Sequence, residues 1–290
     1  MRIVITGATG FIGKKLVATL QSAGHEIVTL GRGATADHKW DATEDAPAAA
    51  FEDADAVIHL AGEPVAQKWT PEAKQRIRDS RVLGTERLVH GLSITRKRPT
   101  ALICASAVGY YGDRGEEALP EDSDPGTGFL PRVCREWEAK ADLAEALGMR
   151  VVKVRTGIVL GPDGGAMKEM LTPFKLGVGG KLGDGSQWMP WIHLDDIVGI
   201  FRHAVEGSVA GPLNGAAPGV VTNAQFTAEL GKALHRPAVI PVPRFALKLM
   251  FGEMANVILG SQRVIPQATE KSGYRFQYPE LAKALASLKL

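Results

Sequence analysis

Apolar positions in the first half of the chain follow two alternating rhythms. Short apolar runs at Arg2 to Ile5, Glu26 to Leu30, Ala54 to Leu60, Ala101 to Ala105 and Arg150 to Val154 read as buried strands. Between them lie stretches with helical spacing. Phe11, Ile12, Leu16, Val17 and Leu20 mark one that stops at Gly24. Thr70-Pro71-Glu72 opens another, with Thr as N-cap and Pro in the first helical position, and it runs towards Leu92. Pro131 to Leu147 reads as a third. Strands alternating with helices imply parallel strands joined by right-handed crossovers. The expected fold is therefore α/β, a Rossmann-type doubly wound parallel sheet.

After Gly161 the rhythm breaks. Gly and Pro crowd Gly161 to Gly165 and Gly177 to Gly185, and helical spacing returns at Asp195 to Val205, Asn223 to Leu234 and Phe245 to Ile258. There is no internal repeat. The expected division is a dinucleotide-binding domain over 1–160 and a smaller C-terminal substrate lobe with its own end module over 161–290, interleaved at the boundary.

Composition narrows the class. With 45% apolar and 23% charged residues in 290, the chain reads as a globular protein with a large core. A formal charge of +2 gives no global field for a nucleic-acid partner. Cys104 and Cys134 lack metal-site spacing, and no metal site is expected. The apolar stretch Phe245 to Leu259 is interrupted by Lys248, Glu253 and Asn256, so no membrane span is expected, and it reads as core or as a homodimer face. With a strand beginning at Arg2, no signal peptide is expected and the location implied is cytoplasmic.

The chemistry concentrates in Thr6-Gly7-Ala8-Thr9-Gly10-Phe11-Ile12-Gly13, between the first strand and the first helix. Gly7 suits a tight turn, Gly10 lets backbone approach a pyrophosphate, and Gly13 lets helix and strand pack closely, with the phosphates at the helix N-terminus. The second strand then ends Thr29-Leu30-Gly31-Arg32. An acid at that point would bind the ribose of NAD; Arg32 suits the 2′-phosphate of NADP, so the expected cofactor is NADP(H).

On these residues the chain resembles the extended short-chain dehydrogenases/reductases. His59-Leu60-Ala61-Gly62 looks like the family's segment under the cofactor, Ser106 like its strand-end serine, Arg155 to Pro162, with Ile158, like its run beside the nicotinamide, and Trp191 to Asp196 like its second-lobe helix start. It is more closely similar to an epimerase-like branch often labelled cell-division inhibitor, through Gly62-Glu63-Pro64, Ser80-Arg81, Val133 to Glu138, Gly164 to Met167 and Gly260 to Val264. From about Pro241 onward it resembles that branch's C-terminal module. The resemblance implies cofactor contacts from Gly7, Thr9, Gly10, Phe11, Ile12, Gly13, Gly31, Arg32, Leu60, Ala61, Gly62 and Ile158. It also implies one from Arg81, which stands where the family commonly has Asn and would reach towards phosphate or ribose.

One departure matters more than the match. The family moves its proton with a Tyr-x-x-x-Lys pair, which alignment from Ser106 places at Phe129 and Val133, and neither titrates. The hydroxyls left near the crevice are Ser106 and Tyr111, with Tyr110 in reserve. Glu136 and Lys140 continue the same helix face and read as an i,i+4 surface pair. Two readings stand. One is an NADP(H)-dependent oxidoreductase or epimerase with a displaced acid/base. The other is a non-catalytic NADP(H)-binding redox sensor or assembly partner. The substrate is not legible; Trp188, Met189, Trp191 and the apolar Phe245–Ile258 segment suggest a pocket less polar than a nucleotide-sugar site.

Overall fold

A computed structural model describes residues Met1–Leu290. Seven strands form the central sheet: β1 (Arg2–Thr6), β2 (Glu26–Gly31), β3 (His38–Lys39), β4 (Ala56–His59), β5 (Ala101–Ala107), β6 (Arg150–Thr156) and β7 (Gly211–Gly215). Their order is β3-β2-β1-β4-β5-β6-β7 and every neighbouring pair is parallel. The order reverses between β1 and β4, and a ligand crevice opens beyond the carboxyl ends of strands at such a point.

Ten helices follow the chain: α1 (Phe11–Ser22), α2 (Pro71–Ser93), α3 (Phe129–Asp142), α4 (Gly165–Lys175), α5 (Leu194–Glu206), α6 (Asn223–Ala233), α7 (Arg244–Phe251), α8 (Ala255–Leu259), α9 (Gln267–Lys271) and α10 (Leu281–Ser287). Alternation along the strands assigns the layers. Ile3 and Ile5 face a core with Leu16 and Leu20 of α1 and Ile197, Ile200 and Phe201 of α5. Val4, between them, faces the opposite core, with Leu88 and Leu92 of α2 and Trp137 and Ala141 of α3. Burial on both faces explains why these strands read as unbroken apolar runs. Each fully buried Leu or Ile contributes roughly 1.5–3 kcal/mol. A third core, including Leu171, Trp191, Phe226, Leu230, Leu281 and Leu285, belongs to the second lobe. No helix is long and apolar enough to cross a membrane.

The five expected strands are present with small shifts at their ends. β3 and β7 are additions. Gly211-Pro212-Leu213-Asn214-Gly215 has turn composition, yet it pairs with β6 at the sheet edge, where a proline lacking its N–H is tolerated. β7 and α5 also carry the sheet layers well past residue 160. Two expected helices are shorter. The helix thought to reach Leu147 ends at Asp142, followed by a 3-10 turn and Gly148 at φ 80°. The helix expected over 245–258 breaks at Gly252, φ 59°, into α7 and α8.

Candidate functional site

The ends of β1 and β4 are stitched together by one hydroxyl. Thr6 Oγ1 accepts the backbone N–H of Leu60 (3.1 Å) and Ala61 (3.2 Å) and lies 2.6 Å from His59 Nδ1. With both amides donating to the oxygen, its proton goes to Nδ1, which leaves the imidazole proton on Nε2. His59 is fully buried, and burial, with Arg81 nearby, holds its pKa down at about 4. The ring is a neutral structural group.

Above that stitch, Gly7 turns the chain at φ 70°, and a Cβ there would lie 2.8 Å from the Leu60 carbonyl carbon. A Cβ on Gly13 would sit 2.2 Å from the Gly7 oxygen, so only glycine allows this packing of α1 on the turn. Thr9 and Gly10 are exposed, and Gly10 caps α1 with no side-chain hydrogen bond and no acid in the first turn. The N–H groups of Phe11, Ile12 and Gly13 therefore lack intrahelical partners and present a partial positive charge. These features fit a dinucleotide pyrophosphate. Phe11 has its ring in other work: Cβ atoms on Gly161 and Gly164 would each come 2.6 Å from it, so this loop of the second lobe closes onto the start of α1. Beyond Gly31, Arg32 is exposed and forms no ion pair, which leaves its guanidinium available to a phosphate. Ile158 is half-buried in a short strand paired with Trp191–His193.

Arg81 departs from expectation. Its guanidinium donates to the carbonyls of Glu63 (2.9 Å) and Ile77 (3.1 Å) and lies 5.2 Å from the Trp137 ring centre. A Cβ on Gly62 would meet its Cζ at 3.3 Å. Burial pushes its pKa down against the pull of Cys134 and Glu63. Arg81 braces the loop after β4 from beneath, instead of reaching out to phosphate or ribose.

At the carboxyl end of β5 the expected hydroxyls are already committed. Ser106 is buried and donates to Glu138 Oε1 at 2.6 Å; the half-exposed residues beside it are Ala105 and Ala107. Glu138, on the buried face of α3, forms a two-pronged ion pair with Arg155 of β6, Nε to Oε1 and Nη2 to Oε2, both 2.9 Å. Burial opposes the charge on Arg155, but the bonds and charge of Glu138 prevail and raise its pKa. Tyr111 is fully buried, donates to Asn214 Oδ1 at 2.7 Å and accepts from Arg155 Nη1 at 3.0 Å. Burial pushes its pKa up to about 12. Neither Ser106 nor Tyr111 presents a free hydroxyl to the crevice. Tyr110 does differ: it is half-buried, its hydroxyl makes no hydrogen bond within the chain, and Arg155 Cζ stacks 3.6 Å from its ring centre. Of the three hydroxyls, those of Ser106 and Tyr111 are bonded within the chain and that of Tyr110 is not.

Several residues of this network escape sequence reasoning. Asn214 comes from the unforeseen β7. Glu121 accepts from the backbone of Asn214 (3.0 Å), Ala268 (2.8 Å) and Thr269 (3.1 Å), tying β7 to α9. Gln262 Nε2 donates to the carbonyls of Val108 and Gly112, both at 3.0 Å, and so fixes the tyrosine loop. Glu138 did carry a signal, as a carboxylate on the helix face of Pro131, Cys134 and Ala141, all buried. Phe129 packs edge-to-face on Trp69 at 5.1 Å and Val133 is core. Glu136 and Lys140 do not pair with each other. Each reaches across to α2, to Arg78 (2.7 Å) and Glu86 (2.5 Å). Both cysteines are buried free thiols, and burial pushes the Cys134 thiol up to about 12.

Comparison with known proteins agrees with this architecture. The chain is 38% identical over 301 residues to an epimerase family protein SDR39U1 homolog, chloroplastic, of Arabidopsis thaliana, covering 99% of this chain and 86% of that one. It is 37% identical to the epimerase family protein YfhF of Bacillus subtilis, covering 99% and 98%. The crystal structure of human epimerase family protein SDR39U1 (isoform2) with NADPH superposes with a TM-score of 0.92 at 37% identity, covering 100% of this chain and 99% of that one. The pattern of a C-terminal domain of unknown function, DUF1731, matches residues 242–288. The pattern of the NAD dependent epimerase/dehydratase family matches residues 3–216, and the chain belongs to that family.

Proposed function

We propose that this protein binds NADP(H) and interconverts a carbonyl and a hydroxyl group, as an oxidoreductase or as one half of an epimerisation, with Tyr110 handling the proton. The cofactor assignment is supported by the Gly7–Gly13 cradle, by the unpaired Arg32, and by the NADPH held by the human relative. When bound, NADPH supplies the hydride that reduces a carbonyl carbon. Phe11, Ile12 and Gly13 N–H groups hold the pyrophosphate, and the Thr6 stitch fixes the turn. Tyr110 gives its hydroxyl proton to the carbonyl oxygen as negative charge develops there, and water restores it. Arg155, clamped by Glu138, stacks a fixed positive charge on the Tyr110 ring and so holds it in place.

The observation that carries this reading is that Tyr110 alone of the three candidate hydroxyls is uncommitted. The test is NADPH oxidation across a panel of aldehydes and ketones. On any substrate found, Tyr110→Phe lowers kcat by about 10²–10⁴, the usual contribution of a positioned acid. Wild-type turnover in that variant removes Tyr110 from the mechanism. A second reading, NADP(H) binding without turnover, draws on the commitment of Ser106 and Tyr111 and on Phe129 and Val133. Tight NADPH binding with no oxidation across the panel selects it.

A further inference from the structure

Beside the tyrosine loop, a cleft of about 350 Å³ opens between the first turns of α2 and α3, lined by Trp69, Lys74, Arg78, Phe129, Arg132 and Glu253, among others. An adjoining bay adds Arg135 and the loop residues Gly126, Thr127 and Gly128. Four cations and one carboxylate line the two together. Arg78 is turned towards Glu136 at 2.7 Å. Lys74 is gripped by both carboxylate oxygens of Glu253, at 2.7 and 2.6 Å, from the turn between α7 and α8. Arg132 and Arg135, about one turn apart on α3, are exposed and form no ion pair. The first turn of α3 carries no acid to offset them.

The walls are as telling as the charges. Trp69 and Phe129 meet edge-to-face at 5.1 Å, both half-buried, with Lys74 Nζ 5.1 Å from the Phe129 ring centre. Flat apolar surface thus lies beside uncompensated guanidinium groups. The cleft is also coupled to the proposed reaction centre. Gly126 donates its N–H to the Tyr110 carbonyl at 3.0 Å, and a Cβ on Gly126 would lie 2.1 Å from the Tyr111 carbonyl oxygen. The bay wall is pressed against the loop that carries both tyrosines. Glu253 shows what the cleft accepts: a carboxylate of the chain itself is already docked on Lys74.

We infer that this cleft holds the anionic end of the substrate, a carboxylate or phosphate carried on a flat apolar body, with Arg132 and Arg135 as its specificity determinants. Paired guanidinium groups suit the planar oxygens of either anion. The word substrate rests on the function proposed above; recognition of the anion does not.

The experiment titrates the full-length protein, with and without NADPH, against benzoate, phenyl phosphate and the neutral benzamide by calorimetry. One or both anions bind at millimolar concentration or better, benzamide binds far more weakly, and added salt weakens the anions. The stronger of the two anions identifies carboxylate or phosphate as the natural group. In Arg132→Ala/Arg135→Ala, anion affinity falls by about tenfold or more, the equivalent of one lost charge-assisted contact. Both side chains are exposed, so the unfolding curve stays that of the wild type. Glu253→Gln releases Lys74 and tightens anion binding. The inference is overturned if neither anion binds, if benzamide binds as well as benzoate, or if the double variant binds anions like the wild type. Anion binding as described without NADPH binding defeats the cofactor reading and leaves the cleft intact. NADPH binding without anion binding does the reverse.

Discussion

At the β1 end of the crevice, Thr6 to Gly13 build an anion cradle from eight consecutive residues, with Leu60 and Ala61 as its floor. At the β5 end, one guanidinium on β6 bonds to Tyr111, Glu121 and Glu138 from three other segments, and gathers Ser106 through Glu138 and Asn214 through Tyr111. The first region works through backbone. Its demands are space and free N–H groups, which glycine supplies wherever the fold places it. The second works through buried charge. A guanidinium taken out of water must be paired and fully hydrogen-bonded, so its neighbours are committed by stability before any chemistry is possible. A hydroxyl in the right place by alignment can therefore be spent on the fold, as Ser106 and Tyr111 are.

The hardest blow to the first region is Gly13→Val. Its Cβ falls 2.2 Å from the Gly7 oxygen, with backbone on both sides. Loss of NADPH binding is expected, with destabilisation of about 4 kcal/mol or more, at the severe end for a single change. Calorimetry and urea unfolding check both. A variant that binds and melts normally would mean that the close packing is dispensable.

In the second region Glu138→Ala leaves Arg155 buried without its partner, which costs about 3–5 kcal/mol. NADPH affinity of the folded protein should stay near that of the wild type. A parallel loss of affinity would show that the two regions are one cooperative unit.

A pH titration of stability probes the stitch beneath the cradle. His59 titrates near 4 when folded, against an ordinary 6.5. Between those values the unfolded chain takes up a proton that the folded chain refuses. The contribution is complete above pH 6.5 and is lost as pH falls through 4, amounting to roughly 3 kcal/mol. In His59→Gln the slope over this window should flatten; an unchanged slope would place the acid sensitivity elsewhere.

The smallest change expected is Arg32→Ala. Removing one charge-assisted contact to the 2′-phosphate should weaken NADPH by about tenfold and leave NADH unaffected. Equal effects on both cofactors would deny Arg32 its discriminating role.

The sequence by itself determined the doubly wound sheet, because strands buried on both faces must be apolar throughout and amphipathic helices must alternate with them. It determined the cradle too, because the turn, its glycines and the following helix are adjacent in the chain. It also showed that Phe129 and Val133 cannot serve as a proton relay. Only the tertiary structure decided which of the hydroxyls near them are bound up in the fold. Arg155 is 17 residues from Glu138 and 44 from Tyr111, and nothing local states that they meet. Their meeting depends on α3 crossing the ends of β5 and β6, and on β7, whose Gly and Pro conceal an edge strand. The same holds for Arg81, which looks outward in the sequence and is folded beneath Gly62. Backbone sites are written in consecutive residues because glycine acts where it stands. Charged side-chain sites are decided by burial, which belongs to the whole fold.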